Sequence, residues 1–341
     1  MKITQSRAEA VALAVLEAAG VPTKSAQIQA GILIQSEMRG LASHGLLRLP
    51  RIVERIRNGV ANPVTTGTHV WRSQSLLESD GESGLGPVVA MAAIEAITER
   101  ARQTGIALAA ISNSGHLGAI GCYAEDIARS GQLAIVLSTS EALVHPWGGR
   151  KAMLGTNPIA VGVPADPEPF VLDMATGLIS MGKVHDHANR GVALQPGWAL
   201  DGDGNPTTDP VAAKSGAIAP FGEAKGYGLA LAFELLVASL TRSAVGTDVV
   251  GTLDSIHPAN KGDLIIVIEP RTGVAELLND YLKAIRACPP LEPEKSVSVP
   301  GDGSRARRAM AMTDGFAVPE VIWSQLLSLA GMAAPLDTPE P

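Results

Sequence analysis

"ISNSGHLGAIGCYAE", Ile111 to Glu125, sets an apolar run against three glycines spaced three apart, Gly115, Gly118 and Gly121. The preceding "GIALAAIS" is short, apolar and glycine-bounded, which predicts a strand buried on both faces. The following "AIGCYAEDIARSG" predicts a helix. A glycine-lined passage from strand to helix offers backbone N–H groups to a phosphate, although close packing accounts for such glycines as well. The spacing is not G-x-G-x-x-G, so the fingerprint of the doubly wound dinucleotide fold is absent. His116 adds a reason to expect a site, because it falls at the C-terminal edge of a strand, where α/β proteins bind ligands.

Outward from this stretch the chain reads as mixed α/β. "QLAIVLST", "PIAVGVPA", "PFVLDMA" and "DLIIVIEP" are further buried strands, and "GPVVAMAAIEAITERAR" is a helix. "AKGYGLALAFELLVASLT" is apolar all round, which predicts a central helix. The first forty residues read as two helices, the first begun by a capping box of Ser6 and Glu9 and ended at Gly20. The second is capped by Thr23 and stops at Gly40. Leu49, Val53 and Ile56 continue at helical spacing as far as "NGVANP". "PEVIWSQLLSLAG" is a last helix before a frayed end.

Composition narrows the class. The chain has 341 residues, 46% apolar and 18% charged, enough for a large core and more than one folding unit. A net charge of −7 argues against nucleic acid or an anionic membrane as partner. The two cysteines, Cys122 and Cys288, have no framework spacing and read as reduced, buried thiols. "MKITQSRAEAV" lacks the apolar core of a signal peptide, and "GYGLALAFELLVASL" is short for a bilayer span. A cytoplasmic protein is expected.

Several motifs are weighed and set aside. "DGDGNPTTDP" places Pro206 and Ala212 where a calcium loop needs glycine and glutamate. There is no H-E-x-x-H and no paired cysteine spacing, so no metal is expected, and His185 and His187 read as a solvated turn. The hydrolase elbow G-x-S-x-G is missing, and Ser43 beside His44 does not by itself suggest a triad. More telling is "LASHGLLRLP", Leu41 to Pro50, which sets Ser43, His44 and Arg48 into an apolar stretch. Lys225 is either a boundary lysine or an anion-binding cation, and Arg305, Arg307 and Arg308 either a solvated helix start or a phosphate clamp.

Taken together, "RGLASHGLLRLPRIVERI", "ISNSGHLGAIGCYAE", "HPWGGRKAMLGTNPIAVGVP", "VLDMATGLISMGKV", "GWALDGDGNPTTDP" and "EAKGYGLALAFELL" resemble, in order, the malate/L-lactate dehydrogenase family that lacks a Rossmann domain. That family includes ureidoglycolate and sulfolactate dehydrogenases, diketogulonate reductase and the cyclic-ketimine reductases. The resemblance implies an NAD- or NADP-binding sheet domain, residues 71–304, and a small helical domain from residues 1–70 joined by 305–335. It implies a homodimer acting on a small 2-oxo or 2-hydroxy acid. Ser43, His44 and His116 would then be catalytic, with Arg48, Thr156, Gly182 and Lys183 on the substrate. His116, Leu117, Gly118, Ala119, Ile120, Ser140, Met174, Ala175, Thr176 and Lys225 would hold the cofactor, with the turn Gly301, Asp302, Gly303, Ser304 and Arg305.

The chemistry fits these residue types. Hydride addition to C2 of a 2-oxo acid builds charge on oxygen, which an imidazolium relieves by giving up a proton. A guanidinium holds the neighbouring carboxylate through two parallel hydrogen bonds. Ketimine-reducing relatives carry a carboxylate soon after "DMAT". Here Gly182, Lys183 and Val184 stand there and Asp186 comes late, which favours a carbonyl substrate over an imine. The remaining alternative is a cofactor-binding regulatory protein without turnover.

Overall fold

Thr4 stands extended and its side chain accepts the Arg7 N–H, so helix α1 (Gln5–Ala18) starts two residues earlier than a Ser6 cap would place it. The computed structural model describes residues 1–332, and strand β1 (Lys2–Ile3) precedes this helix. Helix α2 (Thr23–Met38) has Pro22 at its cap, and the Thr23 hydroxyl instead donates to Glu17 at 2.7 Å. Two short 3₁₀ turns, Ala42–His44 and Leu46–Arg48, lead into α3 (Leu49–Arg57).

The chain then runs through β2 (Thr68–Trp71), β3 (Leu76–Gly84), α4 (Gly86–Thr104), β4 (Ile106–Ser114), α5 (Gly121–Arg129) and β5 (Leu133–Ser138). It continues through β6 (Ile159–Val163), β7 (Phe170–Met174), α6 (Met181–Arg190), β8 (Ala199–Leu200), β9 (Pro206–Thr207) and α7 (Pro210–Ala213). Then come β10 (Ala217–Ile218), α8 (Ala224–Thr241), β11 (Asp263–Ile268), α9 (Ala275–Arg286), α10 (Asp302–Asp314), β12 (Phe316–Ala317) and α11 (Glu320–Leu329).

Seven strands form one sheet in the order β2-β3-β4-β11-β5-β6-β7. Only β3 and β4 pair in parallel, joined by the α4 crossover; the other neighbours are antiparallel. The side chains alternate across it. Ile265 and Val267 of β11 pack with α4 and α5 on one face, while Leu264 packs with Val237 and Phe233 of α8 on the other. A three-stranded sheet, β10-β8-β9, lies apart from it.

The two ends of the chain meet. β1 pairs with β12, and Trp323, Leu326 and Leu327 of α11 enter one apolar core with Val11, Leu16, Leu33 and Met38. This helical core supports the turn that carries Ser43 and His44. The expected fraying and residues 333–335 lie outside the described residues.

Three expectations are corrected. Helix α8 is not central: Glu234 and Val237 are buried, but Leu229, Leu235 and Leu236 face outward, so its apolar circumference serves the sheet on one side only. Cys122 is buried with its thiol pushed up to about 12 by burial, but Cys288 is exposed. His185 and His187 lie on α6, and the polar faces of that helix had been read as a turn. Helix α9 was not anticipated at all.

Trp323 is 2% exposed, and truncation to alanine should cost about 3–5 kcal/mol in urea denaturation. A loss below about 1 kcal/mol would show that the two termini do not share a core.

Candidate active site

The site begins with a buried carboxyl. Glu37, on the last turn of α2, accepts the Leu46 N–H at 2.8 Å. Gly45 lies over it so closely that a Cβ there would sit 2.4 Å from Glu37 Oε1. The chain therefore folds back tightly after Gly40, and the 3₁₀ turn turns Ser43 and His44 toward each other. Ser43 Oγ lies 3.0 Å from His44 Nδ1, a contact that adjacency in sequence had not suggested. Arg48 Nε donates to the Ser43 carbonyl at 2.8 Å and Nη1 to the Thr252 carbonyl at 3.3 Å.

His116 arrives from the end of β4. Gly86, at the start of α4, crosses the His116 backbone with no room for a side chain: a Cβ would lie 2.4 Å from the Gly115 oxygen and 2.5 Å from that of His116. The imidazole is held by the Gly118 N–H, which donates to its Nδ1 at 2.9 Å. Its ring centre stands 5.4 Å from that of His44, with the planes inclined at 42°.

Burial and the neighbouring guanidinium set the charges. Burial lowers His44 to about 4, with Arg48 adding to the shift. His116 is held well below the usual histidine range by burial, then by Arg48, His44 and Lys261. Arg48 falls to about 10 through burial and the repulsion of Arg51, against the attraction of Glu141. Glu37 rises to about 7 through burial, opposed by the Leu46 N–H. Near neutral pH the site thus holds two neutral imidazoles beside the Arg48 guanidinium.

A cleft of 610 Å³ opens from Ser43 and His44, runs over Gly118, Ala119, Ile120 and Gly121, and passes between Met174–Ala175 and the turn Gly301–Arg305. Its size falls within the usual range for cofactor sites. The side chains of Arg39, Arg305 and Arg307 give its lining cations for a dinucleotide's phosphates. At Gly301, in the left-handed region at φ 97°, a Cβ would meet Arg305 Nη1 at 2.8 Å, so the turn must be glycine to lie against that guanidinium.

Not every expected residue joins the cleft. Ser140, Thr156 and Thr176 form a chain of hydrogen bonds next to it: Ser140 Oγ lies 3.2 Å from Thr156 Oγ1, and Thr176 donates to the Thr156 carbonyl at 2.8 Å. Leu117 points into the core, and its carbonyl accepts the Tyr123 hydroxyl. Asp302 and Ser304 part company: Ser304 lines the cleft, while Asp302 pairs with Arg286 and Arg305 and accepts the Val299 N–H. Gly182 lies against Ser43, where a Cβ would come within 3.3 Å, but the Lys183 ammonium sits over the Trp198 ring at 4.5 Å. Lys225 is exposed on the first turn of α8. Asp186 pairs with Arg190 at 3.2 Å.

Some lining residues had not been anticipated. Arg39 enters the cleft paired with Glu125 at 2.6 Å, and Asp173 accepts the Gly121 N–H at 2.9 Å. Asp173 was legible as the single charge inside "PFVLDMA". Arg39, next to Gly40, carried no such mark.

The architecture and cleft are those of a mixed α/β oxidoreductase of the dehydrogenase class. The profile of the malate/L-lactate dehydrogenase family matches residues 3–327, and the chain belongs to that family. It is similar in structure to a dehydrogenase from Sinorhizobium meliloti, with TM-score 0.94 and 53% identity over 97% of this chain and 98% of that one. It is 36% identical to the L-sulfolactate dehydrogenase of Methanocaldococcus jannaschii, over 92% of this chain and 91% of the relative. It is 35% identical to the (2R)-3-sulfolactate dehydrogenase (NADP(+)) of Chromohalobacter salexigens, over 96% and 98% respectively.

The depressed histidine has a consequence for stability. Because His44 is lowered to about 4 in the folded chain, the unfolded chain binds more protons below pH about 6.5. Stability should therefore fall as pH drops from about 6.5 toward 4, and His44→Gln should flatten that fall. Urea midpoints measured across this range check it; parallel curves for both proteins would remove His44 as the cause.

Proposed function

We propose that the protein reversibly reduces a small 2-oxo acid to its 2-hydroxy acid with NADH or NADPH. The observation that carries this is the convergence of His44 and His116, 5.4 Å apart, where the main cleft, lined by His44, meets the small pocket lined by His116 and Arg48, with Gly118 on both. When bound, the nicotinamide ring supplies or accepts the hydride at C2 of the acid.

The protein's own groups divide the remaining work. Arg48 holds the carboxylate adjacent to the reacting carbon and so fixes the face presented. His116 accepts from the Gly118 N–H at Nδ1, so in its neutral form the proton resides on Nε2 and that nitrogen donates to the substrate oxygen. His44 is less constrained, because the Ser43 hydroxyl can donate to or accept from its Nδ1. The Ser43–His44 pair is therefore the proton exchanger, delivering a proton to the oxygen in reduction and taking it back in oxidation. Gly182, packed against Ser43, flanks the acid. Gly118, Ala119, Ile120, Met174, Ala175, Gly301, Gly303, Ser304 and Arg305 line the path of the cofactor. Asp186 is engaged by Arg190, which leaves the Ser–His pair without the carboxylate that the imine-reducing alternative calls for. The chain is proposed to work as a homodimer, for which the outward leucines of α8 offer an apolar face.

Loss of reduced-nicotinamide absorbance across a panel of 2-oxo acids and cyclic imines tests the reading. Turnover of imines alone, or of nothing while cofactor binds, would overturn it. His44→Ala should lower kcat by about 10²–10⁴-fold. Arg48→Ala should chiefly raise KM for the acid, and unchanged kinetics in that variant would remove Arg48 from the clamp. In the oxidation direction His44 must be neutral, so kcat/KM should show its acid limb near pH 4, the value that burial gives it. A limb at the ordinary histidine value would mean that another group takes the proton.

A further inference from the structure

Beside the main cleft lies a second, small pocket of 50 Å³, lined among others by Arg48, Arg51, Arg55, His116, Gly118 and Thr252. Its three arginines follow one another along the start of α3 at spacings of three and four, which stacks like charges on one side of a helix. That arrangement destabilises a helix unless an anion offsets it. Two of the three already donate to backbone, Arg48 through Nε and Nη1 with Nη2 left over. Arg48 donates to the carbonyls of Ser43 and Thr252, and Arg55 to those of Asp254 at 2.8 Å and Val60 at 3.5 Å. Arg51 has no hydrogen-bond or ion-pair partner among the described residues and reaches solvent at the pocket rim.

The acidic side facing this cluster is thin. Glu141 attracts Arg48 and Arg55, but one of its oxygens, Oε1, already accepts from the Thr252 N–H at 2.7 Å, the Thr252 hydroxyl at 3.0 Å and the Leu253 N–H at 2.7 Å. Asp254 attracts Arg55 while holding its own loop through Ile256 and His257. Arg51 repels both of the other arginines. Positive charge thus exceeds negative charge at the wall of the pocket that also contains His116.

Resting on the 2-oxo acid reading of the site, we propose that Arg51 receives a second anionic group at the far end of the substrate, so that the preferred acid is a short dianion. Arg48 takes the carboxylate next to the reacting carbon, and Arg51 the distal carboxylate or sulfonate. The small pocket admits a short spacer. A substrate that ends in a methyl group leaves the arginine repulsion uncompensated, which turns the cluster into a filter against monoanions.

The test compares kcat/KM for oxaloacetate, sulfopyruvate and pyruvate in the wild type, Arg51→Gln and Arg51→Lys, at one fixed cofactor concentration. A charge-assisted contact of this kind corresponds to about 10- to 100-fold. The wild type should prefer at least one dianion over pyruvate, and Arg51→Gln should reduce that ratio about 10- to 100-fold, mainly through KM, with Arg51→Lys restoring part of it. Whichever of the two dianions shows the larger effect identifies the distal group as carboxylate or sulfonate. A parallel arm follows thermal stabilisation by malonate against acetate, which needs no turnover, and the malonate advantage should disappear in Arg51→Gln. Absence of turnover with every 2-oxo acid would refute the reading of the site, whereas loss of the malonate advantage would still support Arg51 as an anion receptor. Turnover with equal preference for pyruvate and dianions, or a preference unchanged in Arg51→Gln, would overturn the role of Arg51.

Discussion

The hydrogen bond from the Leu46 N–H to the buried Glu37 carboxyl fixes the segment on which the proposed chemistry depends. It ties the last turn of α2 to the reversal at Gly45, and the absence of a side chain at that glycine lets the two come together. With the reversal fixed, the Ser43 carbonyl faces Arg48 Nε and the Ser43 hydroxyl faces His44. Three polar side chains from a six-residue stretch thereby acquire defined positions. Burial raises the Glu37 carboxyl to about 7, so the bond sits close to its own titration near neutral pH. The helical core beneath it, shared by both ends of the chain, keeps water from replacing it.

Electrostatics distinguishes the two histidines more than position does. Both lie near Arg48 and both are pushed toward neutrality, but only His116 has its tautomer set by a backbone amide. A ring fixed in that way is a dependable hydrogen-bond donor and a poor proton carrier. The ring bonded to a hydroxyl keeps both options open. The arginines around them make the pocket wall positive, which suits anionic substrates and keeps the imidazoles neutral until an anion arrives.

The sheet arranges these parts without the parallel order common in nucleotide-binding folds. Its single parallel pair, β3 and β4, has its α4 crossover beginning where Gly86 presses on His116. The cleft runs between strand ends and the C-terminal turn at Gly301, so residues some 260 positions apart in the chain face the same space. Beside the cleft, Ser140, Thr156 and Thr176, the first and last expected at the cofactor and Thr156 at the substrate, hydrogen-bond to one another.

Local chemistry made much of this legible in the sequence. Short apolar runs bounded by glycine or proline marked β4, β5, β6, β7 and β11; burial on both faces, expected of all of them, is not found at β6, where buried positions alternate, nor at the edge strand β7. Glycine stops marked the ends of α1 and α2, and ordered motifs brought Ser43, His44, Arg48 and His116 into one expectation. What lies between distant segments was decided by packing. The partnership of Arg39 with Glu125, the diversion of Lys183 to Trp198 and of Asp302 to Arg286, and the one-sided burial of α8 each depend on neighbours far away in sequence. A charged side chain takes the nearest opposite charge or ring that the fold supplies, and periodicity carries no information about that neighbour. The residue types set which groups were present to do chemistry, and the tertiary structure chose which of them face the cleft.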